Sequence, residues 1–236
     1  MSKLIGIGIG PGEPELITIK AKKVLAEADI VFVPQSKLEK KSVAHEIVNK
    51  FISSNAEIIN LLLPMTTDRE VLEQAWKTGA EQIVSALADG KTGAFITLGD
   101  CMLYSTYTYI LQEIKKIKPE LIVENIPGVT SFSAAASILG QPLAEGDESL
   151  AIIPALKKTE DLAKILEIHE NVVFLKVSSK IEELVSVLAE LGLSNKAVFI
   201  SKCGHPNQKI VYDLQELAGK RLEYLSLLIV KKGGLS

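Results

Sequence analysis

The stretch Lys3-Leu-Ile-Gly-Ile-Gly-Ile-Gly-Pro-Gly12 decides the fold class of this 236-residue chain. After Lys3, residues 4–9 are all leucine, isoleucine or glycine, so residues 3–9 predict a buried strand, and the glycines and proline that follow predict a tight loop. Apolar residues then recur at helical spacing from Ile17 to Ala28, after Glu13 and Pro14, which favour a helix start. A strand, a glycine loop and a helix in this order indicate a βα unit and a parallel sheet.

The same alternation continues through the first half of the chain and then changes. Further strands are predicted at residues 30–33, 57–62, 92–98 and 121–126, with helices at 42–51, 67–88 and 106–116. Beyond Pro119, strands at 150–153, 172–176, 197–201, 209–211 and 225–230 come closer together, with helices at 159–167 and 181–191. We therefore predict an α/β protein with two domains, residues 1–119 with a mainly parallel sheet and 120–236 as a smaller α+β domain with antiparallel pairing.

Composition argues against several classes of protein. Lys and Arg number 26 against 29 Asp and Glu, a net charge of −3, with none of the dense basic blocks of a duplex-binding protein. The longest uncharged run, residues 125–144, contains Pro127 and Pro142, which disfavours a membrane span. Cys101 and Cys203 lie far apart with no CxxC motif, so neither a disulfide framework nor a metal site is predicted. We expect a cytoplasmic protein with no nucleic-acid or membrane partner.

Three glycine-containing loops directly follow predicted strands. They are Gly6-Ile-Gly-Ile-Gly-Pro-Gly12, Leu98-Gly-Asp-Cys-Met102 and Ile126-Pro-Gly-Val-Thr-Ser131. Strand ends of a parallel sheet share one edge, which is where open α/β proteins bind ligands. Glycine also lets the backbone approach a ligand and present its N–H groups. The sequence therefore predicts a binding site where these loops meet.

The first loop does not match the known nucleotide-binding patterns. Counting from Gly6 and Gly8, the third glycine of a dinucleotide-binding motif falls on Pro11, and counting from Gly8 and Gly10 it falls on Glu13. The acidic residue expected after the second strand is absent, and no Gly-Lys-Ser/Thr follows the loop. A nucleotide-dependent oxidoreductase is thus disfavoured, and the pattern favours a small, partly apolar ligand held mostly by main chain.

Four segments, in order along the chain, carry a resemblance. They are Gly8-Ile-Gly-Pro-Gly-Glu-Pro-Glu-Leu-Ile-Thr-Ile-Lys-Ala21, Ala28-Asp-Ile-Val-Phe-Val-Pro34, Gly99-Asp-Cys-Met-Leu-Tyr-Ser105 and Ile126-Pro-Gly-Val-Thr-Ser131. Together they resemble the tetrapyrrole methylases, the class III S-adenosylmethionine-dependent methyltransferases. The second and third segments are most similar to the branch that methylates carbon 20 of precorrin-2 or cobalt-factor II. The resemblance implies two α/β domains with the cofactor in the cleft between them, a tetrapyrrole acceptor and a homodimer.

The resemblance also implies which residues contact S-adenosylmethionine. Those positions are Pro11, Leu98, Gly99, Asp100, Leu103, Thr130, Ser131, Leu175, Lys176 and Gly204. It implies no metal and no identifiable catalytic base. Methyl transfer from a sulfonium is an in-line displacement that depends chiefly on alignment of the reacting atoms.

Two positions depart from the family pattern. Cys101 replaces the proline that usually follows Gly-Asp, which affects the rigidity of the loop. Pro34 stands where the uroporphyrinogen-methylating branch has a proton-accepting Asp, so that function is not transferred.

A polycarboxylate acceptor requires local positive charge, and six residues are candidates: Lys37, Lys40, Lys41, Arg69, Lys202 and His205. The alternatives left open are methylation of another ring position, diphthine synthesis, methylation of ribosomal RNA, an oxidoreductase, and a binding protein without turnover.

Overall fold

The computed structural model describes residues 1–37, 42–154 and 159–235. The chain forms two compact units, unit 1 at Met1–Thr130 and unit 2 at Ser131–Ser236. Each unit has its own β-sheet.

Unit 1 is built on a five-stranded sheet in which every pair of neighbouring strands is parallel, in the order β3-β2-β4-β1-β5. Its strands are β1 (Lys3–Gly8), β2 (Ile30–Gln35), β3 (Glu57–Leu62), β4 (Thr92–Thr97) and β5 (Ile122–Ile126), and its helices are α1 (Ile19–Glu27), α2 (Val43–Val48), α3 (Arg69–Ala86) and α4 (Tyr107–Ile117). The parallel sheet predicted from the βα pattern is confirmed. The three glycine loops follow β4, β1 and β5, which are adjacent strands.

The division between the units lies after Thr130, later than the predicted boundary at Pro119. Strand β5 pairs with β1 along its whole length, from Lys3 opposite Ile122 to Ile7 opposite Ile126. It is therefore an edge strand of the first sheet and not the start of the second domain. The compositional change near Pro119 marks only the turn before this strand.

Apolar cores lie on both faces of the first sheet, as expected for strands between two layers of helices. On one face Tyr107 is fully buried over Gly6, where an added Cβ would lie 2.4 Å from the ring atom Cζ. The Tyr107 hydroxyl donates to Asn125 Oδ1 at 2.9 Å, and burial raises the pKa of this phenol. Gly6 therefore allows α4 to pack closely against β1.

Helix α1 begins later than the sequence predicts. Pro14–Leu16 forms a separate short 3₁₀ turn, and the α-helix starts at Ile19 with Thr18 as its N-cap. The Thr18 hydroxyl accepts a hydrogen bond from Ala21 N at 3.1 Å. A hydroxyl that satisfies a free amide is a stronger start signal than the proline upstream.

Unit 2 has a smaller mixed sheet in the order β6-β7-β10-β8-β9, in which only β6 and β7 pair in parallel. Its elements are α5 (Ser131–Leu139), β6 (Leu150–Pro154), α6 (Thr159–Ile168), β7 (Asn171–Leu175), α7 (Ile181–Glu190), β8 (Ala197–Ser201), β9 (Lys209–Val211) and β10 (Ser226–Lys231). The predicted antiparallel pairing is confirmed. Helix α5 was not predicted, and it buries Phe132, Ala134 and Ala135.

Candidate functional site

The three glycine loops of unit 1 meet backbone to backbone. Gly10 and Gly99 form an isolated bridge, with Gly99 N donating to Gly10 O at 2.7 Å and Gly10 N donating to Gly99 O at 3.2 Å. A Cβ on Gly8 would lie 2.6 Å from Gly128 N, and one on Gly128 would lie 2.1 Å from Gly99 O. Glycine is thus required at Gly8 and Gly128 by close approach of backbone. We call this meeting point of Gly8, Gly10, Gly99 and Gly128 the glycine junction.

Asp100 ties two of the loops together. Its Oδ1 accepts a hydrogen bond from Met102 N at 2.8 Å, and its Oδ2 accepts one from Gly128 N at 2.9 Å. Hydrogen bonds to a charged acceptor are stronger than those between neutral groups. The carboxylate therefore holds the loop after β4 to the loop after β5.

Cys101 adds a second link between the same loops. Its thiol is buried and donates from Sγ to Ile126 O at 3.4 Å. Burial, followed by the neighbouring charge of Asp100, raises the pKa of this thiol. A thiol kept protonated is a poor nucleophile, and the hydrogen bond of Cys101 to Ile126 O is a contact that no proline side chain offers.

One side of the junction is open. Gly99 has a left-handed backbone with φ of 66°. Among the residues that the structure describes, apart from its two chain neighbours, none has an atom within 4 Å of a Cβ built on it. Of the predicted contacts in unit 1, Pro11 is buried, whereas Leu98, Leu103 and Thr130 are half-buried. Main-chain groups next to partly exposed apolar side chains are typical of small-ligand sites, so this region is the candidate ligand site.

The remaining predicted contacts lie in unit 2. Ser131 is the first residue of α5, and Leu175 is the last residue of β7. Lys176 follows with a left-handed φ of 58°, and its amide donates to Ser226 O at 3.1 Å. Gly204, with φ of 77°, follows β8, and its amide donates to Gln208 Oε1 at 2.8 Å. Strands β7 and β8 flank β10, so Leu175, Lys176 and Gly204 share one edge of the second sheet.

The predicted basic residues have mixed surroundings. Lys37 is exposed, whereas Lys40 and Lys41 lie outside the described residues. Arg69 forms an exposed ion pair in which its Nε lies 2.7 Å from Glu73 Oε1, and the hydrogen bond to that carboxylate raises the pKa of the guanidinium. Another ion pair joins Lys202 Nζ to Glu223 Oε1 at 2.8 Å, and His205 is half-buried in the same loop.

Sequence reasoning missed Ser105 and Tyr104, both in the loop that carries Asp100. The buried Ser105 Oγ lies 3.2 Å from Thr97 Oγ1 and accepts a hydrogen bond from Tyr107 N at 3.2 Å. Ser105 directly precedes the predicted start of this helix at residue 106, and a hydroxyl residue before a helix is a recognisable signal for its start. Tyr104 has a left-handed φ of 51°, for which the sequence offers no signal.

The part of the chain that the structure describes has neither a metal-binding cluster nor a membrane-spanning helix. No cluster of three or more His, Cys, Asp or Glu residues there has a metal-binding arrangement. In the same residues, no helix combines the length and apolar character needed to span a membrane.

Comparison with known proteins identifies relatives over nearly the whole chain. This chain is 34% identical over 231 residues to a cobalt-precorrin-2 C(20)-methyltransferase of Salmonella typhimurium, and the match covers 98% of this chain and 96% of the relative. It is 35% identical over 238 residues to a probable cobalt-precorrin-2 C(20)-methyltransferase of Methanocaldococcus jannaschii, covering 98% and 97%.

A solved structure shares the fold. It is uroporphyrin-III C-methyl transferase from Thermus thermophilus in complex with S-adenyl homocysteine, with a TM-score of 0.71, 20% identity and coverage of 98% of this chain and 92% of that chain. The family model for the tetrapyrrole (corrin/porphyrin) methylases matches residues 3–218. The matched family consists of methylases, so the oxidoreductase alternative is not supported. The chain belongs to the tetrapyrrole (corrin/porphyrin) methylase family.

Proposed function

We propose that this chain is a methyltransferase that uses S-adenosylmethionine to methylate carbon 20 of a precorrin-2-type tetrapyrrole in cobalamin biosynthesis. The cobalt-containing acceptor is favoured over the metal-free one. The observation that carries the proposal is the identity of 34% and 35%, over 98% of the chain, to two relatives named for this reaction on cobalt-precorrin-2. The Thermus thermophilus structure with S-adenyl homocysteine supports the choice of methyl donor.

The residues of the chain fit the proposed donor. The open side of Gly99 leaves room for a ligand against bare main chain. Leu98, Leu103 and Leu175 are half-buried and would supply apolar surface to the adenosyl group. Hydroxyls would come from Thr130 and Ser131, and main-chain groups from the remaining predicted contacts, Pro11, Gly99, Asp100, Lys176 and Gly204.

The role we assign to these residues is alignment. When bound, S-adenosylmethionine supplies an activated methyl group on a sulfonium. The glycine junction would fix the donor so that its methyl group lies in line with the attacking carbon, and such positioning contributes on the order of 7 to 11 kcal/mol to lowering a barrier. Half-buried leucines would exclude water from a charge that disperses as the bond breaks.

The test is anaerobic incubation with methyl-labelled S-adenosylmethionine and either metal-free or cobalt-loaded dihydroisobacteriochlorin, with the product analysed by NMR. We expect the label at carbon 20, with faster transfer to the cobalt form. Label at a different carbon would support another branch of the family instead. Donor binding measured by calorimetry without transfer to either acceptor would support a binding protein and contradict the proposal.

From the family resemblance we also propose a homodimer that works in the cytoplasm, with a tetrapyrrole as its partner and neither nucleic acid nor membrane. Analytical ultracentrifugation tests the oligomeric state. A species with the 25.6 kDa mass of one chain at micromolar concentration would contradict it.

A further inference from the structure

The loop between β4 and α4, residues 98–106, is held at both of its ends. Near its start, Asp100 accepts hydrogen bonds from Met102 N and Gly128 N. Near its end, the buried Ser105 Oγ lies 3.2 Å from Thr97 Oγ1 and accepts from Tyr107 N. The segment between these anchors therefore has a defined course at the edge of the sheet where the glycine junction lies.

Within this fixed segment, large side chains face solvent. Met102 is 53% exposed and Tyr104 is 46% exposed, whereas the neighbouring Cys101 and Ser105 are buried. The small residues of the loop thus point inward, and the Met102 thioether and the Tyr104 ring are partly exposed to solvent.

The backbone at Tyr104 is also strained. Its φ of 51° lies in the left-handed region, which glycine and asparagine adopt readily and aromatic residues rarely do. Such strain persists only where the surrounding structure imposes it, and it concentrates at functional sites. A glycine would form this turn more easily, so the tyrosine is accommodated here at a cost in backbone conformation.

We propose that Tyr104, with Met102 on the same loop, is the surface that binds the flat macrocycle of the tetrapyrrole acceptor. This inference rests on the proposed function and assigns a specificity-determining role to Tyr104, a residue of the third family segment to which the resemblance gave no role. The phenol ring and the thioether both make favourable contacts with a flat conjugated ligand. Their position beside Gly99 and Asp100 puts the acceptor contact next to the proposed donor site in the chain.

The test uses variants that separate the side chain from the backbone conformation. Tyr104→Gly and Tyr104→Asn keep the left-handed turn without the ring, and Tyr104→Phe keeps the ring. We expect the first two to raise the KM for the dihydroisobacteriochlorin about tenfold, equivalent to one stacking contact. The KM for S-adenosylmethionine should stay within about twofold, Tm should not fall, and Tyr104→Phe should resemble the wild type.

Tyr109→Ala is the matched control, because Tyr109 is 47% exposed in α4 and stacks on Trp76 at 4.2 Å between ring centroids. It should lower Tm without changing either KM. An unchanged acceptor KM in Tyr104→Gly, or an increase confined to the donor KM, would overturn the inference.

Direct titration of the tetrapyrrole by absorbance, with S-adenosylhomocysteine present, separates this inference from the proposed function. If the wild type binds the acceptor without methylating it, the proposed function fails, and the inference is decided by the Kd of Tyr104→Gly. A tenfold weaker Kd sustains it and an unchanged Kd refutes it. If the wild type binds no tetrapyrrole, both fail.

Discussion

Replacing Gly128 by alanine tests whether the glycine junction is as tightly packed as the structure indicates. The added Cβ would lie 2.1 Å from Gly99 O and 2.6 Å from the carbonyl carbon of Gly8. Real Cβ atoms essentially never come closer than 3.0 Å to such atoms, so the loops must separate by about 0.9 Å. Since the obstructing atoms belong to the backbone, no side chain can rotate away to relieve the overlap.

The loss of stability expected in Gly128→Ala has two parts. Overpacking of this kind costs about 1 to 3 kcal/mol. A shift of that size also breaks the 2.9 Å hydrogen bond from Gly128 N to the Asp100 carboxylate, which contributes about 1.5 to 3 kcal/mol. We therefore expect Gly128→Ala to lower the free energy of unfolding by about 2.5 to 6 kcal/mol.

The assay is urea unfolding monitored by circular dichroism, together with calorimetric titration of S-adenosylmethionine. Gly8→Ala should show a smaller loss, because the nearest atom to its Cβ would be 2.6 Å away. Gly79→Ala in α3 is the control, since its Cβ would make ordinary contacts at 3.7 Å and 3.8 Å with Ile110 and Leu63. That variant should gain about 0.5 to 1 kcal/mol, because glycine is unfavourable inside a helix.

The order of the free energies of unfolding of the three variants tests this prediction. If the free energy of unfolding of Gly128→Ala is within about 1 kcal/mol of the wild-type value and the variant binds S-adenosylmethionine normally, the junction is not tightly packed. If Gly8→Ala costs more than Gly128→Ala, the close contacts do not determine the energetics of the junction.

Three further predictions concern other residues. Tyr107→Phe removes the hydrogen bond to Asn125 and should lower the free energy of unfolding by about 1 to 2 kcal/mol; a urea midpoint equal to that of the wild type would contradict this. Cys101 and Cys203 are buried, and burial raises the pKa of Cys203 to about 11, so a thiol reagent should modify them only on unfolding; rapid labelling of the native protein at pH 7 would contradict it. Hydrogen bonds from the Ser149 hydroxyl and amide lower the pKa of Glu170 to about 2. The folded-state pKa is below the unfolded value of about 4.3. The ionised Glu170 therefore stabilises the folded state fully above pH 4.3, and this contribution is lost as the pH falls toward 2. Urea midpoints of Glu170→Gln and the wild type should therefore converge as the pH falls to about 2, and a gap that stays constant with pH would count against the assignment.

The sequence predicts most of the fold because the signals are local. Hydrophobic periodicity gives the strands and helices of unit 1, and glycines after three strands indicate where a ligand site lies. It did not indicate α5, because residues 131–139 are mostly small and lack a clear polar face. The start of α1 was predicted too early because Pro14 is a weaker signal than the hydrogen bond that Thr18 makes in three dimensions.

By itself, then, the sequence predicted an α/β protein that resembles the tetrapyrrole methylases, with three glycine loops at one edge of the first sheet. Only the tertiary structure decided how those loops are held. Asp100 accepts a hydrogen bond from Gly128 N, and the Cys101 thiol donates one to the Ile126 carbonyl. The backbone of Tyr104 takes a left-handed conformation. The physical reason is that periodicity and turn chemistry depend on near neighbours in the chain. The partner of a carboxylate or thiol, in contrast, depends on which strands become adjacent in the sheet.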